Sequence, residues 1–409
     1  MPESKDVIFL CQYFHPEYIS SATLPFDTAV ALRNAGYSVG ALVGYPKEYS
    51  THQTVPMREI FQGIDIKRIK YLQLNRTNSL GRLINYLSFT LSCALQLRHI
   101  CKYTTVLVYS NPPILPLIAV IGRNLFGLKI VFISYDVYPD IAYKTGKLSP
   151  HSLMAKVMTL VNNLVFRRVS RVVALSEDMK SYLVANRDIK PEQVEVIPNW
   201  YEGGHMPTGS RAQSNALFAP ILGTGKLIVS YFGNLGICQD LSTILAAIRT
   251  LAHNPEIHFI FAGHGNKMHL MREIVEQERL DNVTIFDFLH GADYQDALDI
   301  SDCFLVSLEQ GLAGLAVPSK TYGYMMAGKP IIAVMDQCTD IARDLTENNA
   351  GISIKVGDHA ALVAAITALR DSPENRRRMG ANSRQLFLAK YTKEIATAKY
   401  VAMMAELID

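Results

Sequence analysis

The sequence predicts an α/β protein made of two doubly wound parallel-sheet halves, and three observations predict it. Short, continuously apolar runs alternate with longer helical patterns, as in parallel sheets covered on both faces. That alternation stops at a polar, glycine-rich stretch after Trp200 and then starts again. With 409 residues, the chain also exceeds what one hydrophobic core ordinarily serves.

In the first half, VIFLCQYF (7–14) reads as a buried strand. The following FDTAVALRNAGYSV reads as a helix closed by Gly36, and SVGALVGY as the next strand. TTVLVYS (104–110), KIVFISY (129–135) and RVVALS (171–176) continue the series, and VEVIPNW (194–200) closes it. The second half repeats the plan with LIVSYFG, IHFIFAG, VTIFDFL, CFLVSL and PIIAV. The expected division is residues 1–203, a linker at 204–225, residues 226–376, and helices at 377–409 that cross back to the first half. In such sheets ligands sit at the carboxyl ends of strands, so two facing halves predict a cleft with the site in it.

Composition narrows the function. Apolar residues make up 49% and charged residues 19%, which excludes a disordered chain. A mean hydropathy of +0.11 fits a large buried sheet or a membrane surface. The start, MPESKD, lacks the basic and apolar regions of a secretory signal, and none is expected. The six cysteines are scattered at no metal-ligand spacing, so reduced thiols in a cytoplasmic protein and no metal site are expected. The apolar run at 83–97 is too short to span a bilayer, and the one at 104–121 is interrupted by Asn111-Pro112-Pro113. Residues 66–176 hold fifteen Lys and Arg against two acids, Asp136 and Asp140. These cations lie among Leu, Ile, Phe and Tyr, which favours an anionic membrane surface over nucleic acid; a solvated basic face without a partner is the alternative.

The most informative stretch is VPSKTYGYMMAGKPII, Val317 to Ile332. Ser319 after Pro318 reads as an N-cap, with Tyr322, Met325 and Met326 at the spacing of a core-facing side. Lys320 then falls in the first turn of a helix, where a cation is disfavoured unless an anion binds there. A diphosphate, held by free amides and one ammonium, is the anion that fits; a solvent-facing lysine is the alternative. Two more strand-end loops support a diphosphate: YFGNLG, with Gly233, Asn234 and Gly236, and FAGHGNK, with Gly263, Gly265 and Asn266. Glu309, just past a strand, can hold sugar or ribose hydroxyls, or can be an ordinary surface acid. In the first half, QYFHPEYISSA presents His15 and Glu17, and SYDVYPDIAYKTG presents Asp136, Tyr138 and Asp140. A carboxylate there can orient or deprotonate an acceptor hydroxyl, while Asp140 can equally cap a helix.

Taken in order, YFHPE, SYDVYPDIAYKTG, VEVIPNW, YFGNLG, FAGHGNK and VPSKTYGYMMAGKPII resemble the GT-B-type retaining glycosyltransferases. The resemblance covers nearly the whole chain and is to family 4, especially its bacterial surface-polysaccharide and O-antigen branch. It implies two Rossmann-like domains. The nucleotide sugar is held by the second, the acceptor by the first, and no metal or cofactor is required. It also implies Gly233 and Asn234 beside the diphosphate, and Lys320 with Ser319 gripping it. Phe288 and Leu289 flank the base, and Asp136 contacts the sugar and the attacking hydroxyl. Pro318 and Tyr322 are counted with the donor site; His15, Glu17, Tyr138 and Asp140 with the acceptor. Two departures stand out. Many members carry a second glutamate where this chain has Gly323, and an arginine and lysine where it has Asn234 and Gln239. The implied function is a cytoplasmic hexosyltransferase, peripheral on the inner face of the membrane. It moves sugar from a UDP-linked donor to a lipid-linked glycan in polysaccharide biosynthesis and releases UDP. A GT-B-fold sugar-nucleotide epimerase or hydrolase, or a non-catalytic partner subunit, is the alternative.

Overall fold

A computed structural model describes residues 5–47, 54–75, 79–201, 215–222 and 225–408. The chain divides into two compact units. The first is Met1–Asn199 with Gly314–Val317 and Lys393–Asp409; the second is Trp200–Ala313 with Pro318–Thr392. Of the expected linker, residues 204–214 and 223–224 lie outside the described residues.

Unit 1 opens with β1 (Lys5–Cys11), α1 (Ser20–Asn34), β2 (Val39–Gly44), β3 (Arg58–Phe61) and β4 (Ile64–Ile69). It continues with α2 (Ser79–Ala94), α3 (Leu97–Ile100), β5 (Tyr103–Tyr109), α4 (Pro116–Phe126) and β6 (Lys129–Ser134). Then come α5 (Asp140–Lys144), α6 (Leu153–Phe166), β7 (Arg171–Ala174), α7 (Glu177–Asn186) and β8 (Val194–Val196). The eight strands lie in the order β3-β4-β2-β1-β5-β6-β7-β8, all parallel except the β3–β4 pair. Central strands such as β1 and β6 bury Val7, Ile8, Phe9, Val131 and Ile133 completely. Crossovers between parallel strands are right-handed. Those leading from β4 to β8 all run one way across the sheet, so α2, α4 and α6 share one face. The β1–β2 crossover runs the other way and puts α1 on the opposite face.

Strands β3 and β4 are absent from the sequence reading. They form a hairpin closed by Gln62 (φ 48°) and Gly63 (φ 78°), the paired positive φ of a two-residue turn. Their pattern is obscured because β4 buries charge. Arg68, 1% exposed, donates to the Glu59 carboxylate at 2.5 Å, to Pro56 O at 2.8 Å and to His15 O at 2.9 Å.

Unit 2 runs β9 (Leu227–Phe232), α8 (Ser242–Thr250), β10 (Ile257–Ala262), α9 (Asn266–Glu278), β11 (Val283–Phe286) and α10 (Gly291–Ile300). It goes on through β12 (Cys303–Ser307), α11 (Lys320–Met326), β13 (Ile331–Val334) and α12 (Asp340–Glu347). It ends with β14 (Gly351–Ile354), α13 (His359–Asp371) and α14 (Pro373–Lys390). Its sheet order is β11-β10-β9-β12-β13-β14, wholly parallel. Val229, Tyr231, Phe259, Phe261, Leu305 and Val334 from four strands pack with Ile244, Ile248, Leu362 and Ile366 from α8 and α13.

The expected boundary at 377 falls inside α14, which stays with unit 2. The return to unit 1 begins at Lys393 with α15 (Lys393–Ile408), which packs on α1 and ion-pairs Lys393 to the buried Asp27 at 2.9 Å.

Both sheets place a crevice where their order reverses. In unit 2 the chain moves from β9 outward to β11, then returns to β12 on the other side of β9. Loops leaving β9 and β12 in opposite directions open the crevice at their carboxyl ends, where α/β proteins bind ligands. In unit 1 the corresponding strands are β1 and β5.

Candidate functional site

In unit 2, β9 runs out into Gly233, Asn234, Leu235 and Gly236, and β10 into Gly263 and Gly265 ahead of Asn266, the first residue of α9. The two loops touch backbone to backbone. Gly233 N donates to Ala262 O and Leu235 N to His264 O, both at 2.8 Å. A Cβ on Gly263 would lie 2.1 Å from Gly233 O, and one on Gly265 would lie 2.5 Å from Leu235 O. Both glycines also hold positive φ, 140° and 118°. The loops are glycine-rich because nothing larger fits between them.

Lys320 is the first residue of α11, as the sequence predicts. Its Nζ donates to Asn234 O at 2.8 Å and to the Tyr231 hydroxyl, and it stands 4.1 Å from the Tyr231 ring centroid. A Cβ on Gly233 would lie 3.7 Å from Lys320 Cε, so the ammonium sits against the β9 loop. Among the described residues no carboxylate pairs with it. Burial without a counter-charge pulls this ammonium from 10.5 down to about 7. Ser319 occupies the N-cap position, but it has helical φ and ψ and its side chain caps nothing. With seven residues, α11 contributes only a small dipole, so the field at this point comes chiefly from the ammonium. Pro318 is buried, and its carbonyl accepts from Thr321 Oγ1 at 2.7 Å. Tyr322 is 1% exposed and packs on Tyr391, so its ring belongs to the core with Met325 and Met326.

Tyr324 fixes α11 over β9. Its hydroxyl donates to Phe232 O at 2.9 Å and accepts from Phe232 N at 2.7 Å, while its ring stacks on Phe304 at 4.1 Å. Tyr324→Phe strands two buried backbone groups, and we expect it to lower stability by about 1–3 kcal/mol. Urea unfolding followed by circular dichroism checks this; an unchanged midpoint refutes it.

Glu309 follows β12, and its N–H donates at 2.8 Å to Cys238 O, in the connection between β9 and α8. Its carboxylate is ion-paired with Lys267, whose Nζ also donates to Gln239 O at 2.6 Å. Lys267 is a second cation at this end of the sheet that sequence reasoning passed over. It closes FAGHGNK, the loop stacked on the β9 loop, which was the available signal. Phe288 is 45% exposed and meets His264 and His290 edge-on at 5.3 and 4.5 Å. Leu289 beside it is half-buried, and Asn266 is exposed. At Gly323, a Cβ would lie 3.3–3.6 Å from the Tyr201 ring, whose hydroxyl accepts from Gln295 Nε2 at 3.1 Å. Tyr201 therefore fills the space into which a longer side chain at position 323 would project.

In unit 1, Asp136 forms an isolated antiparallel bridge with Ala316, and the adjacent Val137 N donates to Leu315 O at 2.9 Å. Among the described residues no hydrogen bond reaches the Asp136 carboxylate. Burial raises it from 3.8 to about 6, partly opposed by Lys147. Asp140, by contrast, is occupied: its carboxylate pairs with Arg187 and accepts from the Tyr182 hydroxyl at 2.7 Å. Tyr138 lends its carbonyl to Asn162 Nδ2 at 2.8 Å. His15 stacks on Phe61 at 4.0 Å and on Phe26 at 5.0 Å, and these two rings also meet each other at 5.8 Å. Glu17 is 6% exposed and accepts from Phe14 N at 3.3 Å. Of these residues, Asp136 alone presents a carboxylate without a hydrogen-bond partner. Among the described residues no cluster of His, Cys, Asp and Glu has the makings of a metal site.

Residues 26–200 match the family described as glycosyl transferase 4-like domain, and residues 215–386 match glycosyl transferases group 1. A Pseudomonas aeruginosa relative described as probable glycosyltransferase WbjE is 27% identical over 304 residues, covering 74% of this chain and 75% of its own. A yeast relative, the GPI3 subunit of phosphatidylinositol N-acetylglucosaminyltransferase, is 20% identical and aligns over 56% of its own length. Sucrose-phosphate synthase of Thermosynechococcus elongatus superposes with a TM-score of 0.74 at 16% identity, covering 99% of each chain. HepE of Anabaena, solved with UDP and glucose, gives a TM-score of 0.71 at 16% identity over 98% of this chain and 99% of its own. WaaG, a glycosyltransferase involved in lipopolysaccharide biosynthesis, gives 0.70 at 13% identity over 97% and 99%.

Proposed function

We propose, for a chain that belongs to the GT-B glycosyltransferases resembling family 4, that it moves a sugar from a UDP-linked donor to a hydroxyl of a lipid-linked glycan in polysaccharide biosynthesis, with retention at the anomeric carbon. One observation carries the donor half of this reading. Among the described residues the Lys320 ammonium has no acid partner, and it stands on the glycine-lined β9 loop at the sheet's switch point. An anion with two closely spaced charges completes that site, and a nucleoside diphosphate is such an anion. Anabaena HepE solved with UDP, and again with UDP-glucose, supports the choice of nucleotide.

In the proposed step the acceptor oxygen attacks the anomeric carbon on the face from which the diphosphate departs. The bond between that carbon and the phosphate oxygen breaks, and its electron pair leaves with the diphosphate. The acceptor proton passes to the departing diphosphate oxygen. Lys320 stabilises the charge that develops there, and Asp136 orients the attacking hydroxyl. Phe288 offers its exposed ring to the base. This reading includes no metal or cofactor: the protein's charges offered to the diphosphate are Lys320 and, once Glu309 turns to the sugar, Lys267. The enzyme works as a peripheral protein at the cytoplasmic face of the membrane.

A UDP-release screen of nucleotide sugars against lipid-linked acceptors tests the proposal. UDP should appear only when donor and acceptor are both present. Release or isomerisation of donor without acceptor points instead to a hydrolase or epimerase. Tight UDP binding with no turnover of any pair points to a non-catalytic subunit.

A further inference from the structure

Twelve of the twenty-one exposed large apolar side chains among the described residues fall between Leu80 and Leu164. They are ordered. On α2, Leu80, Leu87 and Leu91 follow helical spacing, and Leu95 continues the line just past its end. On α4 the outward residues are Ile121, Leu125 and Phe126; on α6 they are Leu153, Val157, Leu160 and Leu164. Each helix is also apolar on the side it turns to the sheet. Phe89 and Cys93 do this on α2, Ile118 and Ala119 on α4, and Ala155 and Phe166 on α6. The helices are neighbours, α2 touching α4 and α4 touching α6, on one face of the sheet. Patches of this kind mark interaction sites in soluble proteins.

Charge decides what covers the patch. The three helices contain Arg82, Arg123 and Lys156 and no acid. Arg98, Lys102, Arg167 and Arg168 flank them in sequence. A second copy of the chain, packed through a two-fold axis, would set this basic face against itself. An anionic bilayer takes both features at once, acyl chains receiving the leucines and headgroups receiving the cations. Among the described residues no helix is long and apolar enough to cross a membrane, so the contact is lateral.

We infer that the outward faces of α2, α4 and α6 form the membrane-contacting surface, with Leu87, Leu91, Leu153 and Leu160 entering the headgroup boundary of an anionic leaflet. This deepens the membrane part of the function proposed above and stands apart from its transfer chemistry.

Flotation of the full chain with phosphatidylglycerol–phosphatidylethanolamine vesicles, without donor, tests the inference. The wild type should float. Leu87→Ser/Leu91→Ser/Leu160→Ser should weaken binding at least about tenfold. These side chains are 51%, 64% and 69% exposed, so the fold should survive, as an unchanged thermal midpoint would show. Arg82→Ala/Lys156→Ala should weaken binding to the anionic vesicles and leave that to pure phosphatidylcholine unaltered. Three results overturn the inference: no flotation of the wild type, equal flotation of the triple variant, or a dimer in sedimentation velocity that the triple variant abolishes. UDP release with a water-soluble acceptor is read separately, so a failed membrane contact and a failed transferase reading are distinguishable.

Discussion

Lys320→Ala lowers turnover by more than ~100-fold, the usual scale for losing one positioned group that stabilises developing charge. Among the described residues this ammonium has no carboxylate partner; it is held by Asn234 O and the Tyr231 hydroxyl. The variant therefore leaves no buried acid behind, and the loss reads as lost catalysis rather than lost fold. Lys320→Met, which keeps most of the volume, should be equally slow. The pH dependence follows with a definite sign. In the free protein the group titrates near 7 and is charged below that. A bound diphosphate favours the ammonium, so its pKa rises on binding and a proton is taken up. Donor affinity should therefore fall as pH rises through about 7, and Lys320→Ala should abolish that fall. Calorimetric titration of UDP across pH 6–9 reads both, and a rate unchanged in the alanine variant removes Lys320 from the chemistry.

The second large effect is expected at Asp136. Its carboxyl, raised to about 6 by burial, is neutral below that value and ionised above it. If the ionised form orients the acceptor hydroxyl, kcat/KM rises through pH 6 and then falls as Lys320 loses its charge near 7. The result is a narrow bell. Asp136→Asn should reduce kcat by about 100-fold and erase the acidic limb, while UDP affinity stays as it was. An intact acidic limb in the asparagine variant would show that some other group produces it.

Much of the fold is legible in the sequence because parallel strands buried on both faces appear as unbroken apolar runs. VIFLC, TVLVY, KIVFIS and IHFIFA all lie in strands. Strands β3 and β4 are hidden for an opposite reason. Asp65, Lys67 and Arg68 interrupt the apolar pattern, and only tertiary partners make their charges tolerable: Arg58 and Lys5 for Asp65, Glu59 and two carbonyls for Arg68. Strand β14, GISI, is simply short. At the carboxyl end of the second sheet, glycine-rich strand ends and a lysine at a helix start could be read directly, because turn glycines and helix starts leave signals in neighbouring residues. The Lys267–Glu309 pair joins residues 42 apart, and no local rule brings them together. The same applies to Asp140. Its position at a helix start is visible in the sequence, but its engagement by Arg187 and Tyr182 is not. Ser319 shows the converse: its place is right, yet its backbone has already entered the helical region, so its hydroxyl makes no cap.

The stacked turns at Gly233, Gly263 and Gly265 bear on how this protein can be re-engineered. Main chain lies against main chain there, with no room for even a methyl on two of the three positions. A library built at those turns would chiefly return damaged proteins. Under the function proposed above, altered preference for one activated sugar over another is expected from replaceable groups around them, Glu309, Phe288 and the Tyr201–Gly323 contact, which makes those few positions the practical handles for changing what is accepted.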